Sequence, residues 1–223
     1  DGLLTFLKFN QSERIISWLP GAHVFGQALD NHYWVRRALH MHIVDSPLNT
    51  VDYAKEIQPH LFCSVPRIYE KIYSNFVAAI ESKAVLRFGL KIPILSGIFK
   101  KKLKEAAGFG DLKFAISGAA PINPDILALF QKLDIPLFEG YGMTEGAPTC
   151  NNPLDGTRKL LSVGKPVLGI ELEIVDIETG KKLMPPKQPG EIRVRGSHIT
   201  AGYLDNIEET NNAFRNGWLY TGD

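Results

Sequence analysis

The chain has 223 residues, 44% of them hydrophobic, and a formal net charge of +1. That length fits one large domain or one and a half small ones. A balance this near neutral gives no reason to expect a polyanion partner or a strongly anionic membrane. The two cysteines, Cys63 and Cys150, lack metal-ligand spacing and make a poor disulfide framework, so a reducing, cytoplasmic setting is the default. No apolar run approaches the ~18 residues of a transmembrane helix. The opening Asp1-Gly2 carries neither a start methionine nor a charged leader, and the chain reads as an internal piece of a longer protein.

Ile15 to Leu19 reads as a strand that Pro20 ends. Gly21 to Arg37 reads as a turn and helix, with apolar Val24, Phe25, Leu29, Trp34 and Val35. His40 to Val44 is a second strand. Thr50 is placed to cap a short helix, Val51 to Ile57, which Pro59 breaks. Leu61 to Val65 is a third strand, in which Cys63 is a small buried apolar residue. Pro66 suits the first turn of the next helix. That helix runs from Arg67 to about Lys83, with Ile68, Ile72, Phe76 and Ile80 at helical spacing.

Residues 84 to 108 mix apolar positions from Leu86 to Phe99 with Lys100, Lys101, Lys102 and Lys104, and Pro93 and Gly97 interrupt any long helix. Two readings stay open for them: a basic amphipathic segment on a membrane surface, or a helical pair on the core with a solvated lysine face. Leu112 to Ile116 is a further strand, and Ser117 to Pro121 the loop after it. Asn123 as cap and Pro124 at the first position start a helix that runs to about Leu133. Residues 15 to 142 thus alternate strand and helix, the pattern of an α/β, mostly parallel sheet with covering helices.

The stretch Phe138-Glu139-Gly140-Tyr141-Gly142-Met143-Thr144-Glu145-Gly146 follows the short apolar run Ile135 to Phe138. Its glycines predict a sharp turn with close approach of backbone to a ligand. Thr144 and Glu145 fall where the strand ends, the place where open α/β sheets hold ligands. An aromatic, a hydroxyl and a carboxylate suit a nucleotide: Tyr141 against a base, Thr144 on a phosphate, Glu145 on Mg²⁺. An ordinary glycine-rich turn with a surface glutamate fits the same nine residues.

After Pro153 the pattern changes. Glu171 to Val175 and Glu191 to Gly196 alternate charged and apolar residues, the period of half-buried strands. Ile207 to Phe214 reads as a short helix and Gly217 to Tyr220 as a last strand. Short antiparallel strands joined by turns predict a small β-rich unit, a distorted barrel or sheet. The expected division is an α/β unit over residues 1–157 and a β-rich unit over 158–223.

Taken in order, these segments resemble the adenylate-forming acyl-CoA synthetase superfamily, and within it the long-chain fatty acid CoA ligases. Leu19-Pro20-Gly21-Ala22-His23 looks like that family's LPxxH segment. Val65 to Ile72 resembles its VPR(V/I)xEKI segment, typical of the long-chain branch. Ser117 to Pro121 matches SGAAP, Ser162 to Pro166 SVGxP, Glu191 to Gly196 GEIxVRG, and Gly217 to Asp223 GWxxTGD. Gly202, Tyr203, Thr210 and Phe214 fit the family's spacing between these last two segments. The matches cover residues 17 to 223.

The resemblance implies a two-step reaction with ATP, a fatty acid and CoA, giving acyl-AMP and then acyl-CoA. It implies an adenine wall at Gly118, Ala119 and Ala120, and a nucleotide loop at Glu139, Gly140, Tyr141 and Gly142 with Tyr141 stacking on adenine. It further implies a phosphate contact at Thr144, Mg²⁺ at Glu145, ribose hydroxyls on Asp223, and the acyl carboxylate near His23. Gly21 and Gly26 depart from the long-chain pattern, which carries Leu and an acid there. The family's phosphate loop and C-terminal domain are expected outside residues 1–223, so the piece alone is expected to be inactive and to self-associate. Competing readings are a non-catalytic nucleotide-binding module and another adenylate-forming enzyme, such as an aryl or amino acid adenylating one.

Overall fold

The computed structural model describes residues 9–152 and 159–223. The strands β1 (Arg14–Ser17), β2 (His40–Ile43), β3 (Leu61–Ser64), β4 (Phe114–Ser117), β5 (Leu137–Met143), β6 (Ala147–Asn151) and β7 (Lys165–Pro166) form one sheet. Its order is β2-β1-β3-β4-β5-β6-β7. The first five run parallel, and β6 and β7 return antiparallel at one edge. β3 and β4 are buried at every position, as expected of parallel strands covered on both faces.

The helices are α1 (Val24–Gly26, Gln27–Tyr33 and Trp34–Arg37 in succession), α2 (Thr50–Ile57), α3 (Pro66–Ser82), α4 (Ala84–Gly89), α5 (Pro93–Ala106), α6 (Pro124–Lys132) and α7 (Ile207–Ala213). On one face of the sheet, Val51 and Ala54 of α2, Tyr69, Ile72 and Phe76 of α3, Leu103 of α5 and Ile126, Leu127 and Phe130 of α6 share a core with Ile16, Phe62 and Ala115. On the other, Leu29 and Tyr33 of α1 pack with Ile15, Leu61, Cys63, Phe114, Ile116 and Phe138. The period-two alternation of each strand thus divides its residues between two cores. The fully buried hydroxyl of Tyr69 ties the sheet from beneath, 3.0 Å from the carbonyl oxygens of both Phe62 and Ile116.

Several boundaries differ from the sequence reading for identifiable reasons. Thr50 does not cap α2 but begins it; its buried hydroxyl donates to the Pro47 carbonyl at 2.8 Å and closes the 3₁₀ turn Pro47–Asn49. β1 stops at Ser17, and the next residue, Trp18, turns its Nε1–H onto the Cys63 carbonyl at 3.0 Å. The middle of α1 is wound as a π-helix, which presents Leu29, Asp30 and Tyr33 together to the interior. The cap at Asn123 is as expected, its side chain accepting from Asp125 N–H.

The second sheet is antiparallel, with β8 (Ile170–Val175), β9 (Glu191–Gly196), β10 (Phe214–Arg215) and β11 (Trp218–Tyr220) in the order β10-β11-β9-β8. Val175, Val194, Trp218 and Leu219 are its buried residues. Arg193 binds Glu173 across the β8–β9 ladder and lies over the Trp218 ring, 4.7 Å from its centroid. The expected boundary at 157/158 lies outside the described residues, and so does the Pro153 pattern change.

Candidate active site

Parallel strands all deliver their carboxyl ends to one edge, and the loops that leave that edge carry the predicted residues. The loop after β1 carries His23, the loop after β4 carries Gly118, Ala119 and Ala120, and the turn after β5 carries Thr144 and Glu145. β3 lies between β1 and β4 in the sheet. This is the edge where doubly wound sheets bind their ligands.

The glycines around Tyr141 do not make the sharp turn that the sequence suggested. β5 continues extended through Gly140, Tyr141 and Gly142 to Met143 and pairs with β6, with a shift of register between Tyr141 and Gly142. The extra residue of that bulge is Thr149 on β6, so β5 itself runs unbroken, and the bulge strengthens the local twist. The turn instead comprises residues 144–146. Gly146 in that turn lies close to the Ile199 side chain: a Cβ there would stand 2.7 Å from Ile199 Cδ1, the tip of a side chain that can shift to make room.

Tyr141 is half-buried, and its hydroxyl donates to Asp223 Oδ2 at 2.6 Å. Burial, with the Asp223 carboxylate adding to it, drives the Tyr141 phenol well above its ordinary range. Asp223 is itself exposed, on a segment whose backbone carbonyl accepts from Ile192 N–H at 3.0 Å. Glu145 is met from the other side: Tyr203 Oη donates to its Oε1 at 2.8 Å, and Thr200 N–H donates to its backbone carbonyl at 2.8 Å. Both contacts join the large sheet to the segment that carries the small one. Thr144 is exposed.

Gly118 is buried at the end of β4, where a Cβ would come within 3.4 Å of the Phe25 ring. Ala119 and Ala120 beyond it are exposed, and Ala119 holds φ 68°, a left-handed conformation costly for a residue with a Cβ. The Ser117 hydroxyl just before this loop is buried without a hydrogen-bond partner. Glu139 faces Ser117 across the β4–β5 pair. Its carboxyl is pushed up by burial and partly compensated by the backbone N–H groups of Leu161 and Ser162.

His23 is exposed and accepts from Phe25 N–H through Nδ1 at 3.1 Å, so it caps α1. Gly26 in that helix is a packing position, because a Cβ would meet the Pro20 carbonyl oxygen at 2.9 Å; Gly21 has open space around it. The structure therefore brings Tyr141 to Asp223 and sets Glu139 and Gly140 beside the loop after β4. His23 stands on the same edge with its nitrogen engaged locally.

Three residues of the site had no role assigned from sequence. Tyr203 was noted only for its spacing. Asn152, buried, donates to the carbonyls of Glu139 and Ser162 and accepts from Lys159 N–H, pinning the loop beside Glu139. His198 packs against Gly146, and burial holds its imidazole below the ordinary value. The asparagine pair Asn151-Asn152 at the end of β6 is the one local signal.

The family model "AMP-binding enzyme" matches residues 3–204. The chain belongs to the AMP-binding enzyme family. Among the relatives of this family member is the peroxisomal long chain acyl-CoA synthetase 7 of Arabidopsis thaliana, 31% identical over 97% of the chain and 34% of that protein. Another is the long-chain-fatty-acid–CoA ligase FadD15 of Mycobacterium bovis, 28% identical over 96% of the chain and 37% of that protein. The ATP-bound crystal structure of MatB from Rhodopseudomonas palustris superposes with a TM-score of 0.74 at 26% identity, covering the whole chain and 39% of MatB. The chain spans about a third of the length of the curated relatives it matches. Its α/β fold, with a mostly parallel sheet and a small antiparallel one, is that of the large domain of adenylate-forming enzymes.

Proposed function

We propose that the chain is the nucleotide-contacting part of a long-chain fatty acid CoA ligase, which activates a fatty acid with ATP and passes the acyl group to CoA. The observation that carries this reading is the bond between Tyr141 and Asp223, residues 82 positions apart in sequence. It sets an aromatic ring beside a carboxylate at the carboxyl edge of the sheet, the pairing that an adenosine needs. In this reading Tyr141 stacks on adenine, the exposed backbone of Ala119 and Ala120 with Gly118 and Gly140 forms the wall beneath it, and Asp223 accepts from the ribose hydroxyls. Thr144 contacts phosphate, and His23 lies toward the acyl carboxylate.

The donor set around Glu145 fits Mg²⁺. Among the described residues no group of three or more His, Cys, Asp and Glu forms a metal cage. A single carboxylate that leaves the remaining positions to phosphate and water is the usual arrangement for this ion. When bound, Mg²⁺ neutralises phosphate charge as two anions approach. Tyr203 holds the Glu145 carboxylate in place, and Glu139 and Asn152 fix the neighbouring loop. We further propose that residues 1–157 form an α/β subdomain and residues 158–223 a small β-rich subdomain of the AMP-binding domain, and that residues 1–223 alone are inactive and self-associate. A monodisperse monomer by light scattering would count against the last point.

The names of the relatives favour a long-chain acid, and the segment Val65 to Ile72 points the same way. The test uses the whole protein with ATP, CoA and palmitate, following AMP release and thioester formation. Palmitoyl thioester, lost by at least about a hundredfold in Glu145→Gln, is the expected result. AMP release only with another acid and without CoA would leave an adenylate-forming enzyme of a different branch. ATP binding without AMP release from any acid would leave a nucleotide-binding module.

A further inference from the structure

The near-neutral net charge of the chain is unevenly spread. From Lys83 to Lys104 the sequence holds seven lysines and arginines and no carboxylate. Lys100 pairs with Asp134 at 2.9 Å and Lys101 lies 3.8 Å from Glu105. The same stretch turns large apolar side chains to solvent: Phe88 is 58% and Ile94 88% exposed, with Val85, Ile92 and Ile98 also outward. These are not core residues without a core. Leu86, Leu90 and Leu103 already face the interior. α4 and α5 are also already closed on each other, since a Cβ on Gly89 would overlap the Phe99 ring at 2.1 Å.

The excursion sits at the amino edge of the large sheet. Lys100 reaches Asp134, just before β5; Gly110 N–H donates to Gln58 Oε1, just before β3; and Asp111 pairs with Arg14 at the start of β1. The candidate active site occupies the opposite edge.

We infer that residues 83–104 are a docking surface for an anionic lipid bilayer, formed by the outward apolar side chains of α4 and α5 and the cations that flank them. A helix pair built only for water would place charge outward and apolar residues inward. Here both kinds share the outer face, the arrangement of helices that lie in a bilayer interface. α5 has 14 residues, about 21 Å at 1.5 Å per residue, too short to cross a hydrocarbon core. Accordingly, no helix among the described residues is long and apolar enough to span. The partner's sign follows from charge complementarity, since no acidic residue of the stretch offsets its cations. Each lysine or arginine near an anionic leaflet raises partitioning by roughly fivefold at low salt.

The test is flotation of the full chain with vesicles of phosphatidylcholine alone, or with about one third phosphatidylglycerol, at about 0.05 M and about 0.5 M salt. Two double variants are compared, Lys91→Glu with Lys102→Glu and Phe88→Ser with Ile94→Ser, each first shown by circular dichroism to melt like the parent. Lys132→Glu, on α6, is the surface control. Binding is expected to anionic vesicles and not to phosphatidylcholine, weakened at least about tenfold by either double variant and unchanged in the control. Absence of flotation with anionic vesicles, or equal binding by parent and both double variants, overturns the inference. Failure to float together with a concentration-dependent dimer that Phe88→Ser with Ile94→Ser abolishes would also overturn it, and would assign the face to a second copy of the chain. Neither readout uses nucleotide, so the result stands apart from the ligase reading.

Discussion

The two sheets are held together by different physics. The large one is a layered hydrocarbon core, where Phe62, Tyr69, Phe76, Phe109 and Phe130 meet edge-on or tilted at centroid distances of 5.3 to 6.4 Å. The small one buries few apolar side chains and relies on cross-strand ion pairs and cations over rings, with Arg193 between Glu173, Tyr220 and Trp218 and Arg215 over Tyr220. The lesson lies in where the site residues fall. The rigid sheet supplies the backbone that a nucleotide would lie against. The polar sheet and its flanking loops supply Tyr203 and Asp223, which reach across by single hydrogen bonds.

The sharpest way to break this contrast is at Phe130, which is fully buried. Phe130→Ala is expected to cost about 3–5 kcal/mol, read by urea denaturation. A cost below about 1 kcal/mol would mean that the core is not the source of rigidity claimed for it.

Next in size is Asp30, a buried carboxyl on the α1 face of the large sheet. It accepts from the Ser17 hydroxyl at 2.7 Å, and burial raises its pKa to about 6. A carboxyl whose folded pKa lies above its unfolded value favours folding in its neutral form. That contribution is full below about pH 4 and is lost as pH rises through about 6. The rise from 3.8 to about 6 corresponds to about 3 kcal/mol. Stability should therefore fall between pH 4 and pH 7 by up to that amount, and Asp30→Asn should remove this part of the slope. Parallel pH profiles for the two proteins would remove the assignment.

In the small sheet, Arg193→Ala is expected to cost about 1–2 kcal/mol through lost charged hydrogen bonds. With Trp18 and Trp34 replaced by Phe, the emission of Trp218 reports this sheet alone, and its transition should move while the large sheet's circular dichroism transition moves less. Smallest in stability is Tyr203→Phe, below about 1 kcal/mol for one exposed hydrogen bond. Its effect is instead expected in function: a higher Mg²⁺ requirement for AMP release by the whole protein. An unchanged Mg²⁺ titration would make the Tyr203–Glu145 bond merely structural.

Local signals in the sequence carried much of this. Asn123-Pro124 starts α6 because cap and first-turn chemistry are set by adjacent residues. The apolar runs at Leu61 and Phe114 read as buried parallel strands because they are short and bounded by breakers, Pro59 and Pro66 around the first and Gly110 and Gly118 around the second. The FEGYGMTEG stretch did end at the carboxyl edge with Thr144 and Glu145 in the turn. What escaped was non-local. Glycines at 140 and 142 are as compatible with an extended strand as with a turn, and only pairing with β6 decides between them. The donation from Tyr203 to Glu145 spans 58 residues, and no pattern within either segment announces it. The π winding of α1 leaves no mark in the 3.6-residue periodicity, because seven residues are too few to separate the two periods.

The bulge opposite Tyr141 and Gly142 puts its extra residue, Thr149, on β6 and leaves the count along β5 unbroken, which limits the changes β5 can accept. Side chains in a strand alternate between faces with strict parity, and one residue added to β5 would reset that parity for everything beyond it. Thr144 and Glu145 therefore owe their orientation to a count as well as to their identities. Losing one residue between Tyr141 and Glu145 would turn the following side chains to the opposite face, whereas exchanging a residue in place would leave the count intact. In this stretch the spacing of the letters is under tighter physical constraint than most of the letters themselves.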